Sequence, residues 1–217
     1  MNLELINPHT MKILIAARRE DSIRSISNRI GLSYGWTYKW IQDLARVGVF
    51  RLTRMKIYLD ESNSFYRETL KYIRTNFSKD TSFYYSVLNL FGIKHCFTQT
   101  DAVFIWTNGG YNISRYRDFY PIFIKVGKRD KKLFEEYCKK LNLSINSKRR
   151  SFYHVYYLDN FDLTYYNGIP VDALEETISF MKEHIYNFEP ALEMIKEIHK
   201  KRINVKYKEA ITNVWAD

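Results

Sequence analysis

The side chains best suited to grip another molecule fall in two short runs near the amino end. In the first, Ser33, Tyr34, Gly35, Trp36, Tyr38, Lys39 and Gln42 lie within ten residues of one another. Thr37, Ile41 and Leu44 recur among them at i, i+4 and i+7, the inner stripe of a helix, which turns the first set outward. A helix start of this kind offers free backbone N–H groups, an ammonium and an amide. These are the groups that meet phosphates and base edges in a major groove. Gly35, having no Cβ, permits close backbone approach. The second run holds Arg51, Thr53, Arg54 and Lys56, a basic ribbon suited to a flanking phosphate or a minor groove.

Catalytic constellations are sparse. His95, Cys96, Cys138 and His154 lack zinc-site spacing, and two cysteines are too few for a four-cysteine site or a disulfide framework. Asp159 and Asp162 are spaced so that both carboxylates cannot share one strand face. Glu175, Glu176 and Glu183 read as a solvated helix face. Ser114, Ser151 and Ser179 have no histidine in a recognised triad motif. Gly109 and Gly110 mark a turn, not a phosphate-cradling loop. No catalytic residue, cofactor or metal is expected, and the chain reads as a non-enzyme.

Charge points the same way as the two runs. Lys and Arg number 34 against 24 Asp and Glu, a net charge of +10 over 217 residues. Residues 1–59 hold ten of the basic residues and only four acidic ones. This asymmetry implies a polyanionic partner for the first segment. The competing explanation is a composition rich in Lys, Ile, Asn and Tyr throughout. Apolar residues at 46% and charged ones at 27% suffice for an ordinary core. No apolar run approaches the roughly 18–20 residues of a membrane span, and no secretory signal pattern opens the chain. A cytoplasmic protein with no membrane contact is expected.

Periodicity and caps outline the elements that must present these residues. His9 or Thr10 caps a helix to about Arg19, and Asp21 or Ser22 caps a second, with Ile23, Ile26 and Ile30 inward and Gly31 at its end. Ser33 caps the third, from Tyr34 to Val47, and Gly48 stops it. The period then changes from 3.6 to 2, giving strands at 49–52 and 55–59. A helix from about 60–63 to 77 connects to a second region. There a helix is expected over 83–91 and strands over 102–106, 122–126, 143–145, 153–158 and 163–166. Further helices are expected over 131–140, 171–186 and 189–203, with Pro190 near the first turn of the last. The fold class is therefore α+β: residues 1–60, a connector helix within 61–80, and a mixed α/β domain over 81–217.

The segment ISNRIGLS at 26–33, followed by Thr37, Ile41 and Leu44 and then VGVF at 47–50, resembles the winged helix-turn-helix of DNA-binding regulators. The resemblance covers roughly residues 9–59 and implies a recognition helix in a major groove with a basic wing beside it. A fainter resemblance, to nucleotidyltransferase-like domains, rests on FGIKHCFTQTDAVF at 91–104, PIFIKV at 121–126, GIPVDALEETI at 168–178 and EPALE at 189–193. Together the two are similar to the AbiEi-type antitoxin group and related archaeal regulators. Active nucleotidyltransferases need a Gly-Ser pair and alternating carboxylates on a strand. Here those places read Thr98, Gln99, Thr100, Asp101 and Ile122, Phe123, Ile124, Lys125, so the resemblance implies an inactive domain.

The resulting expectation is a sequence-specific regulator of transcription that binds double-stranded DNA. Its alternatives are a nucleic-acid-processing or nucleotidyltransferase-type enzyme and a winged-helix module that docks protein. One recognition helix reads a single half-site, so a homodimer, or cooperation with the general transcription machinery, is also expected. Surface for pairing is sought in the tyrosine-rich second domain and in the apolar stripe Leu192, Ile195, Ile198 and Ile203.

Overall fold

Residues 5–203, except 114, 117 and 149, are described by a computed structural model. Three helices open the chain: α1 (Pro8–Ala16), α2 (Ile23–Ile30) and α3 (Tyr34–Arg46). Asn7, and not His9 or Thr10, caps α1. Its side chain accepts from the N–H groups of His9 and Thr10, while the Thr10 hydroxyl accepts from the Asn7 N–H. The helix stops at Ala16, because Ala17 is already extended, so Arg18 and Arg19 lie beyond it. Ser22 caps α2 through the Ser25 N–H, and Gly31 ends it at φ 66°, a conformation that favours glycine.

Around these helices folds a three-stranded antiparallel sheet of order β1-β3-β2, made of β1 (Glu20–Asp21), β2 (Phe50–Leu52) and β3 (Ile57–Leu59). The two-residue β1 is too short for any periodic signal and went unforeseen. Met55 and Lys56, expected in the second strand, belong to the turn instead. Ile13, Leu14, Ile26, Ile41 and Leu44 are fully buried at the centre of this unit. Helix α4 (Ser64–Phe77), capped by Asn63, follows as the connector.

The second unit runs α5 (Thr81–Val87), β4 (His95–Phe97), α6 (Gln99–Trp106), β5 (Phe119–Gly127), α7 (Lys131–Leu141), β6 (Arg150–Leu158), β7 (Thr164–Tyr166), β8 (Ile169–Val171), α8 (Leu174–Glu183) and α9 (Ile185–His199). Its five strands order as β6-β5-β4-β8-β7. β5 and β6 are parallel across helix α7, and β4 is antiparallel to β5 and parallel to β8. β7 and β8 form an antiparallel pair. The described residues thus form a mixed α+β protein with two sheets. Tyr84 and Tyr153 sit in the core, where the Tyr153 hydroxyl donates to the Tyr84 carbonyl and the Tyr84 hydroxyl accepts from the Ser144 N–H. Buried tyrosines with satisfied hydroxyls account for part of the tyrosine excess.

Four expectations are corrected here. Residues 102–106 are the end of α6 and not a strand; a short, wholly apolar run has no period that separates the two. Residues 143–145 contribute only one bridge, Ile145 to Tyr153. Val171 ends β8, so α8 begins at Leu174. α9 starts directly after α8, which leaves Pro190 inside the helix and past its first turn.

The units meet along α1 and α7. The Lys140 ammonium, on α7, donates to the carbonyls of Leu14 (2.7 Å), Ile15 (3.0 Å) and Ala17 (3.0 Å) at the end of α1. The Tyr137 hydroxyl donates to the Ala16 carbonyl at 2.7 Å, and its ring stacks on Phe91 at 4.5 Å. A cation at a helix C-terminus meets both the free carbonyls and the negative end of the dipole. Among the described residues no helix is long and apolar enough to cross a membrane.

Candidate nucleic-acid interface

The α3 helix buries Thr37, Ile41 and Leu44, as its spacing requires, and leaves Ser33, Tyr34, Gly35, Trp36, Tyr38 and Lys39 exposed. The Ser33 hydroxyl accepts from the Trp36 N–H, and the Thr37 hydroxyl donates to the Ser33 carbonyl. Aromatic rings dominate this outer face. Tyr34 (50% exposed) and Tyr38 (40%) stack along it with centroids 6.1 Å apart, and Trp36 is 56% exposed. Lys39 lies over Trp36 at 5.2 Å and Trp40 at 5.6 Å, which holds its ammonium on the helix surface. Gln42 is half-buried, and its amide donates to the Tyr38 hydroxyl.

The turn between β2 and β3 supplies the second run. Thr53 serves the turn itself: its hydroxyl donates to the Lys56 carbonyl at 2.8 Å and accepts from the Lys56 N–H at 3.1 Å. The Lys56 ammonium pairs with Glu20 of β1. Arg51 packs over its cross-strand neighbour Tyr58 at 4.9 Å. Arg54 is exposed and makes no ion pair among the described residues. Met55, at the turn, is 83% exposed. Met55 and Arg24, an exposed cation on α2, are further exposed side chains of this unit that the residue types alone did not single out.

A cleft of about 350 Å³ lies in the second unit, lined by Thr98, Lys125, Tyr156, Asp172 and Glu176 among others. Lys125 pairs with Asp172 at 2.8 Å and with Glu176, and Asp172 also accepts from the Thr98 hydroxyl. Asp101 lies deeper, fully buried, held by Arg115 at 2.6 Å, the Phe123 N–H at 2.6 Å and the Tyr85 hydroxyl. Burial pushes its carboxyl up to about 6, against the pull of those three donors. Burial likewise pushes the Cys96 and Cys138 thiols well up and His95 down, so none is an activated nucleophile or base. Among the described residues no group of three His, Cys, Asp or Glu side chains is arranged to hold a metal ion.

The stripe on α9 expected to pair two copies is partly spent within the chain: Leu192 and Ile195 are buried with Ala191, while Ile198 is exposed. Comparison with known family models, curated proteins and solved structures finds no match to this chain.

Proposed function

We propose that the chain binds double-stranded DNA as a transcriptional regulator without enzymatic activity, with α3 in the major groove and the β2–β3 hairpin on the flanking backbone. The observations that carry this reading are Lys39 held among exposed rings on the outer face of α3 and, at the β2–β3 turn, an exposed Arg54 outside every ion pair among the described residues. Helix order α1, α2, α3 with the sheet order β1-β3-β2 supports a winged helix-turn-helix. Gly35 adds support. A Cβ there would meet nothing within 4 Å and no positive φ demands glycine, so nothing within the chain requires it.

In the second unit, the succession α5-β4-α6-β5-α7-β6 with strand order β6-β5-β4 supports a nucleotidyltransferase-like fold. Where such an enzyme carries metal-binding carboxylates on β5, this chain has Lys125 already paired with Asp172 and Glu176. That supports an inactive domain; Mg²⁺-dependent turnover of nucleoside triphosphates would contradict it. The exposed Tyr34, Trp36, Tyr38 and Met55 favour a second reading, a protein-docking surface, for which duplex affinity is weak and independent of sequence. A homodimer, or a DNA-bound partner such as the general transcription machinery, supplies the second half-site; light scattering on the complex distinguishes them.

The test is duplex binding over a range of salt. Arg54→Ala weakens binding about equally for all sequences and lowers the log–log salt slope by about one. Gln42→Ala changes the preferred sequence instead. Unchanged affinity and slope in both variants overturn the assignment.

A further inference from the structure

A wide cleft lies away from α3, between the two units. It is open, encloses about 1330 Å³ and is walled by the end of α1, one face of α4 and the end of α7. That volume exceeds the roughly 300–1,000 Å³ of a site for one compact small molecule and suits an extended ligand.

Its charge is unbalanced. Two of its four carboxylates are already matched, Glu61 by Arg19 and Glu20 by Lys56. Only Glu68 and Glu136 then remain to face Arg18, Arg67, Lys71, Arg74 and Lys139. Arg67, Lys71 and Arg74 stand on one face of α4 at i, i+4 and i+7, an arrangement of like charges that weakens a helix when nothing answers it. Arg67, Lys71 and Lys139 are exposed and form no ion pair among the described residues. Arg18 reaches the Phe91 carbonyl at 3.3 Å through one terminal nitrogen, while its Nε is buried with no hydrogen-bond partner among the described residues. Deep in the same wall, the Lys140 ammonium spends its three protons on α1 carbonyls and neutralises no anion.

We infer that this inter-unit cleft binds a chain of phosphate groups, with Arg67 and Lys71 of α4 and Lys139 of α7 as the solvent-facing contacts and Arg18 as the inner one. Phosphate accepts several charge-assisted hydrogen bonds at once, and arginine side chains on opposite walls can hold it from both sides. The ligand chemistry has two sources: a free oligophosphate such as a nucleotide tail, or the backbone of a nucleic acid running past the junction. The site does not depend on α3 binding duplex.

The probe is inorganic triphosphate, titrated calorimetrically into the full chain in low salt. Wild type is expected to bind it saturably, and Arg67→Ser with Lys71→Ser to weaken binding by about tenfold or more, since two charge-assisted contacts are lost. Arg67→Lys with Lys71→Arg should keep most of the affinity, and Lys182→Ser, an exposed lysine on α8, should change nothing. All three substituted side chains are exposed, so unfolding midpoints are expected to match wild type and to confirm folding. A second arm compares a short duplex with one extended by about ten base pairs. A gain in affinity on extension that vanishes in the double serine variant identifies the nucleic-acid backbone as the source, even if triphosphate does not bind. If triphosphate does not bind and extension brings no variant-sensitive gain, the cleft is not a phosphate site. Failure of the short duplex to bind at all bears on α3 alone.

Discussion

Lys140 gives the protein a pH dependence whose sign and size follow from its position. Burial lowers it from an ordinary value of 10.5 to about 7, and Arg29 and Arg74 push the same way against Glu61 and Asp21. Between pH 7 and 10.5 the unfolded lysine carries a proton that the folded one has begun to lose. The unfolded chain therefore binds more protons, and stability rises with pH across that window and is lowest below it. From pH 7 to 8.5 the rise is roughly 1.5 kcal/mol, with about 1.4 kcal/mol per unit as the ceiling. Above about pH 9 the opposing titration of Cys96 and Cys138, whose thiols are held protonated by burial in the folded chain, obscures it. Urea denaturation at pH 7.0, 7.5, 8.0 and 8.5 measures the slope. In Lys140→Met the slope should vanish, whatever the variant's absolute stability, because the three α1 carbonyls lose a donor while a buried charge is removed. A wild-type curve that is flat over this range, or a variant with the wild-type slope, refutes the reasoning. The first result would mean that the α1 carbonyls hold the ammonium charged.

Three other outcomes are expected. Gly35→Ala should leave stability unchanged or raise it by up to about 1 kcal/mol, through helix propensity, while weakening duplex binding; equal binding by variant and wild type removes the close-approach role. Asp101→Asn leaves the Arg115 guanidinium buried without a counter-charge and should cost about 3–5 kcal/mol in chemical denaturation; a loss below about 1 kcal/mol contradicts a structural ion pair. Gly92→Ala meets both a positive φ of 60° and an overlap of the new Cβ with the Arg29 side chain. It should lower stability by more than the roughly 1 kcal/mol of the backbone conformation alone, and thermal unfolding measures it.

The sequence was most legible where period and cap agree. Thr37, Ile41 and Leu44 give α3 a single inward face, Ser33 starts it, and the structure buries that stripe. Gly31 marks the end of α2 for a reason that can be read locally. Legibility fails where the deciding interaction is distant. β1 is two residues whose strand pairing is with β3 alone, and residues 102–106 carry no polar face because α6 lies largely in the core. The candidate interface residues were chosen by type, and how each engages its neighbours was not visible. That Thr53 staples its own turn and that Lys56 pairs with Glu20 depends on strand register, which sequence spacing does not contain. The inter-unit cleft was hidden for the same reason, since Arg18, Arg67 and Lys139 meet only through the packing of α1, α4 and α7.

Duplex recognition by α3 is tested most directly by footprinting a fragment selected from a random-sequence duplex pool and then mapping methylation interference on it. A short protected site is predicted, in which methylation of guanine N7 in the major groove blocks binding at the centre and phosphate ethylation blocks it on the flanks. Selection that yields no preferred fragment, or protection unaffected by major-groove methylation, contradicts the account.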